Sequence, residues 1–187
     1  MRLFAREQGV DYERGVTRDA DGALTWTRWP ADPALAAAIA ECFAPAAAPA
    51  DYASEVNLRA ATWLADLPRF LRRGVALLID YGDTRHERYH PQNDGGSLRC
   101  YYRHRVLDDP LRHPGLQDIT ASVDFTRVAE GAAAAGFDVL GYATQASFLL
   151  ACDIEGCLQA RLAVAGDHAR LALAARTLLL PQERGPR

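Results

Sequence analysis

The chain contains no lysine: all 21 of its basic residues are arginine, set against 24 acids for a net charge of -3. That balance removes any general electrostatic case for nucleic acid or an acidic membrane as partner. With alanine so abundant, the missing lysine reads as coding bias rather than function. Cysteine is scarce, and Cys42, Cys100, Cys152 and Cys157 form no CxxC pair. This speaks against a disulfide framework and for a reducing, bacterial cytoplasm. No apolar run is long enough to span a bilayer, so no membrane insertion is expected. The opening MRLFAREQGV lacks the apolar centre of a signal peptide. Also missing are GxSxG, HExxH and GxxxxGK[ST]. Gly95-Gly96 lacks the spacing of a nucleotide-binding loop.

What remains is an ordinary globular composition, 49% hydrophobic and 24% charged over 187 residues. One domain with a real core is expected, spanning 1–187. LFARE reads as a strand, and DYERGVTR and ALTWTRW as a hairpin around an Asp-Gly turn, giving a β region over 1–32. Asp32 with Pro33 opens a helix over PALAAAIAECF. APAAAPADYAS reads as a surface connector. Ser54 or Asp51 is expected to start a second helix, SEVNLRAATWLADLPRFLRRG, bent at Pro68. Later, Asp124 caps FTRVAEGAAAAG, FDVLGYA reads as a strand, and Thr144 caps QASFLLAC. GDHARLALAARTLLLP reads as a last helix.

Between these lies LLIDYGDTRHERYHP. VALLI, residues 75–79, is the pattern of a fully buried strand. A helix leading into such a strand is the rhythm of an α/β protein with a parallel sheet, where ligands bind at strand carboxyl ends. Asp80, Tyr81 and Gly82 occupy that end: an acceptor, a ring that stacks or donates, and a residue that lets backbone approach a ligand. His86 and His90 stand at i, i+4, as do Cys100 and His104, but Pro91 and the lack of a third ligand argue against a metal. Cys152 and Cys157, beside FLLA, read as packing residues. RCYYRHR, 99–105, is read as a solvated strand face, with RNA contact or a peptide-substrate rim as alternatives.

The words IDYG, YYRHR, PGLQDITA and VDF, in this order, closely resemble the distal half of the MidA family. The likeness is strongest from about Ser54 to Ile154. It implies a class I S-adenosylmethionine-dependent methyltransferase. Mitochondrial members of that family are protein arginine methyltransferases that help assemble respiratory complex I. The implied fold is α/β, the distal half of a Rossmann-like sheet with flanking helices and an added N-terminal β-hairpin. One departure falls inside the match: Ser122 stands where the family usually has histidine. The family's glycine-rich cofactor loop, its ribose-binding acid and its Asn-Glu segment are expected upstream of this chain, and PQERGPR replaces a final strand. The sequence therefore reads as a fragment, weak or inactive alone, whose open sheet edge invites self-association.

An arginine acceptor calls for carboxylates that orient a guanidinium and take its proton. Glu55 and Asp80 are the expected catalytic pair. Tyr81, Gly82, Asn57, Arg103, His104, Asp118, Thr120 and Asp124 are expected to line the substrate. Ordinary structural roles stand beside these: helix capping for Asp124, a first-turn helix charge for Glu55, and an ion pair to Asp108 or Asp109 for Arg103. A non-catalytic assembly module derived from the same fold is the alternative function.

Overall fold

The computed structural model describes residues 1–43, 48–164 and 166–180. Part of the connector APAAAPADYAS, and all of PQERGPR, lie outside the described residues. The described chain divides into two compact units, 1–139 and the residues from Leu140 on.

The first unit opens with three antiparallel strands, β1 Arg2–Glu7, β2 Val10–Arg18 and β3 Leu24–Pro30. Gln8 and Gly9 join β1 to β2 with positive φ of 50° and 80°, the two-residue turn that matches strand twist. At the next turn Asp19 accepts from the backbone N–H of Asp21 and Ala23, and Gly22 takes φ 80°. Helix α1, Pro33–Cys42, follows the Asp32 cap as read, with Asp32 accepting from the Leu35 N–H at 2.8 Å.

The next element departs from expectation. Tyr52–Val56 is not the start of a helix but strand β4, paired antiparallel along β1. Pairing with an available edge outweighs the helical pattern of SEVNL. Alternation along β4 sends Tyr52 and Val56 to the core and Glu55 to the opposite face of the sheet. The core packs Phe4, Tyr52 and Val56 against Leu35, Ala38, Ile39 and Cys42, which recur at i, i+3, i+4, i+7 on α1. Phe43 and Tyr89 close it, the Phe43 ring meeting Tyr52 edge-on at 5.2 Å.

The helix expected over 54–74 runs only as α2, Arg59–Asp66, continuing into a 3-10 turn at Leu67–Arg69 that holds Pro68. Leu64 is its buried residue, seated against Gly131 of α4, Phe125–Ala134. A Cβ at Gly131 would stand 2.8 Å from Leu64 Cδ1, so a larger residue there would push the Leu64 side chain aside.

VALLI does not form a strand. Val75 is 73% exposed and Ile79 70%, and no ladder runs along 75–80. A parallel strand is stabilised by its neighbours rather than by intrinsic preference, and none lies alongside this segment among the described residues. Ladder pairing begins only at β5, Gly82–Asp83, parallel to β9, Val123–Asp124. FDVLGYA is likewise without strand structure. Between β5 and β9 come a capped turn of helix, α3 Arg85–Arg88, and a sheet ordered β7-β6-β8. These strands are β6 Arg99–Tyr102, β7 Arg105–Leu107 and β8 Asp118–Thr120.

The second unit holds α5 Gln145–Ala151, α6 Ile154–Leu162 and α7 His168–Leu179, capped by Thr144, Asp153 and Asp167. It buries little. Cys152 and Cys157, expected as packing residues, are exposed because these helices enclose almost nothing.

Candidate active site

Glu55 is the most completely buried acid described, 2% exposed in the middle of β4. A carboxylate there requires partners. Arg88 supplies one, its Nη2 donating to Glu55 Oε1 at 2.5 Å. Burial works against the Arg88 charge, but Glu55 beside it prevails and holds the guanidinium's pKa above its usual value. Ser97 adds two more bonds to the same oxygen, from its N–H at 2.9 Å and its hydroxyl at 2.7 Å. The Ser97 hydroxyl in turn accepts from Arg88 Nη1 and from the Ser122 N–H, both at 2.8 Å. Ser122, the departure from the MidA pattern, thus reaches the cluster through its backbone.

All three bonds go to Oε1, which leaves Oε2 for another partner. Oε2 lies beside Gly96, whose φ of 75° and missing side chain are both needed. A Cβ at Gly96 would stand 2.2 Å from Oε2.

The polar run after Asp80 now has a physical explanation. Thr84 and Glu87 form a capping box that starts α3. One helical turn then carries Arg85 toward α4 and Arg88 inward to Glu55. Tyr89 follows, buried, and donates from its hydroxyl to the Glu55 carbonyl at 3.1 Å. His86 and His90 face each other edge-on at 6.3 Å, and His90 Nδ1 accepts from the Gln92 N–H. Among the described residues no group of three or more His, Cys, Asp or Glu could hold a metal.

Glu55 sits on a cavity of about 320 Å³ whose lining includes Leu3, Arg14, Trp26, Leu98, Asp108, Asp109 and Pro110. A second hollow, about 510 Å³, brings together Arg103, His104 and Asp118 with Tyr101, Leu116 and Gln117. Arg103 and His104 form the β6–β7 turn with φ of 49° and 63°, unusual for side chains of that size. The Arg103 guanidinium lies 5.2 Å from the Tyr102 ring centre rather than against Asp108 or Asp109.

The other expected residues lie apart from these hollows. Asp80, exposed, accepts from the Tyr81 N–H at 2.8 Å and lines neither hollow. With no strand along 75–79 it does not stand at a buried strand's end. Tyr81 is exposed, and its carbonyl accepts from the Val123 N–H. The side of Gly82 where a Cβ would lie is filled by the Val123 carbonyl and the Phe125 ring, so its smallness serves packing. Asn57 accepts from the Arg59 N–H, and Thr120 pairs with Arg99 in β8. Asp124 caps α4 through the Arg127 N–H at 3.0 Å, with Arg85 Nε 3.6 Å and Arg127 Nε 3.9 Å from its other oxygen.

Arg88, Ser97, Gly96, Arg14 and Trp26 were not anticipated. The only signal for Arg88 was a T-x-x-E capping box, which would have turned HERYH into a helix aimed inward.

A family model described as "Putative S-adenosyl-L-methionine-dependent methyltransferase" matches residues 1–143. The chain belongs to this methyltransferase family. The match includes the N-terminal sheet. Two solved structures from Burkholderia thailandensis are similar over 95% of the chain, each at TM-score 0.85 and 38% identity. One is described as "a COG1565 superfamily member and likely methyl transferase" bound to S-adenosyl-homocysteine; the other is a native structure of a COG1565 superfamily protein. The match covers 46% and 47% of those chains. The mitochondrial protein arginine methyltransferase NDUFAF7 of Rattus norvegicus is 36% identical over 120 residues, and that of Mus musculus 35%. Those alignments take in 61% of this chain and 25% of each relative, so the chain spans only part of the proteins it matches.

The methyl donor of the family is S-adenosylmethionine. Among the described residues no glycine-rich turn leads from a strand into a helix, and neither hollow is lined by one. Nor is any described helix long and apolar enough to cross a membrane.

Proposed function

We propose that this chain carries the acceptor-facing part of a protein arginine methyltransferase, residues 1–187 being one partial catalytic domain. The observation behind this reading is Glu55: a buried residue lining a cavity, whose Oε1 accepts from Arg88 and Ser97 while Oε2, beside Gly96, takes no hydrogen bond among the described residues. Such a group is pre-oriented. Oε2 receives the N–H groups of an acceptor guanidinium and takes the proton it sheds. Arg103, His104 and Asp118 offer the flanking peptide a second, polar contact surface. Asp80 and Tyr81 stand at the end of an exposed apolar segment, the surface through which the chain associates with itself or with a partner. The acceptor is a protein, of the respiratory complex I type by the family's resemblance, and the setting is a bacterial cytoplasm.

The test is transfer of labelled methyl from S-adenosylmethionine to an arginine-containing protein or peptide. Slow transfer is expected, lowered about 100-fold in Glu55→Gln. Transfer unchanged by that substitution overturns the role of Glu55. A second reading, an assembly module without catalysis, is favoured by the exposed 75–79 segment. It is the reading left if neither transfer nor heat on titrating S-adenosylmethionine is seen.

A further inference from the structure

Arg14 has an unusual place in the Glu55 cavity. It is half-buried on β2, beside Leu3 across the sheet, and Leu3 is in turn beside Glu55 on β4. The three side chains therefore share one face of the sheet. Among the described residues Arg14 makes no ion pair, although Asp108 and Asp109 line the same cavity. Its guanidinium instead lies over the Trp26 ring, 4.8 Å from the centroid. Trp26 is the aromatic wall of this cavity, and Pro110 with Leu98 forms an apolar one. Three carboxylates thus line the cavity with a single guanidinium, and that guanidinium sits on the ring rather than on an acid.

We infer that the Arg14–Trp26 stack occupies the seat of the acceptor arginine. An incoming guanidinium displaces Arg14, lies on the Trp26 ring, and is balanced at its rim by Asp108 and Asp109 while its N–H groups face Glu55 Oε2. Trp26, Asp108 and Asp109 are then specificity-determining residues. A planar, delocalised cation fits an aromatic face and a carboxylate rim better than a compact ammonium does. Arg14 competes for the seat from within the chain and sets how tightly the acceptor is held.

This inference depends on the proposed function, but its test uses no methyl donor. The peptide acetyl-Gly-Arg-Gly-amide is titrated into the full chain while the Trp26 indole N–H resonance is followed, that resonance being identified by its loss in Trp26→Phe. A saturable shift is expected, with about fivefold tighter binding in Arg14→Gln and about fivefold weaker binding in Asp108→Asn/Asp109→Asn. If Arg14→Gln disturbs the fold, Arg14→Lys makes the same comparison with a weaker stacking group, and tightening is again expected. No saturable Trp26 response in either wild type or the Arg14 variant overturns the inference, as does an equal response to acetyl-Gly-Lys-Gly-amide. If peptide binding is absent while methyl transfer depends on Glu55, only this inference falls and the functional reading stands.

Discussion

Arg88 and Glu55 meet at 2.5 Å in the interior, one delivered by a single turn of helix and the other by a strand 33 residues earlier. Their side chains are 4% and 2% exposed. Removing one partner strands the other charge in a medium that cannot solvate it. Arg88→Ala should therefore cost about 3–5 kcal/mol in urea unfolding. Glu55→Gln should cost clearly less, because the amide oxygen still accepts from Ser97 and Arg88. Equal losses for the two would show that charge pairing, not hydrogen bonding and shape, holds this cluster.

Gly96→Ala should fail twice over. The backbone there is left-handed, and the new methyl would meet Glu55 Oε2 at 2.2 Å. A loss of about 2 kcal/mol or more is expected, together with displacement of the carboxylate. Gly95, also at positive φ but with nothing near its missing Cβ, should lose only the conformational part. The thermal midpoints of the two variants give the comparison.

Ser54 neighbours Glu55 on β4 but points to the core face, and its buried hydroxyl has no hydrogen-bond partner among the described residues. Ser54→Ala should be neutral or stabilising by about 1 kcal/mol. Two adjacent polar positions on one strand should thus respond in opposite senses, which urea midpoints would resolve.

Stability should fall at both extremes of pH for separate reasons. Burial, then Asp94, pushes the Tyr52 hydroxyl up to about 12 from an ordinary 10. The folded state keeps a proton that the unfolded chain releases, so this contribution is full below pH 10 and is lost as pH rises through 12. On the acid side, hydrogen bonds from Arg2 hold Glu13 below its ordinary 4.5, and the Leu35 N–H followed by Arg2 holds Asp32 below 3.8. Their contributions are present above those values and disappear as pH falls through the depressed ones. Tyr52→Phe should flatten only the alkaline limb of a plot of unfolding midpoint against pH.

Much of the first unit was legible because it is locally determined. The β1–β3 meander is announced by alternation and turn residues, and α1 by Asp32-Pro33. Asp124, Thr144 and Gly136 mark helix ends by side-chain chemistry acting within a few residues. Where the sequence misled, the deciding partner was distant. β4 is a strand because β1 offers an edge 50 residues away, and VALLI is not one because no edge lies beside it among the described residues. The site was half legible: Glu55 was recognised as a carboxylate of interest, but its counter-ion lay inside a run that looked merely polar. Arg14 and Trp26 were hidden because their pairing runs across strands, which spacing alone does not reveal.

The short helix α3 also bears on how the protein is made. Arg85 on one side reaches Asp124 and Glu130, and its N–H donates to Thr126 Oγ1; Arg88 on the other side reaches Glu55. Ser97, which shares Glu55, is itself held by the Ser122 N–H. A nascent chain that has just released β4 from the ribosome therefore has a carboxylate with none of its partners. Arg88 and Ser97 follow it by 33 and 42 residues, a few seconds of synthesis at about 5–20 residues per second. During that interval the strand edge is formed before the charge upon it is neutralised, which makes the segment from Tyr52 to Ser97 the stretch where slow translation or chaperone binding would matter most.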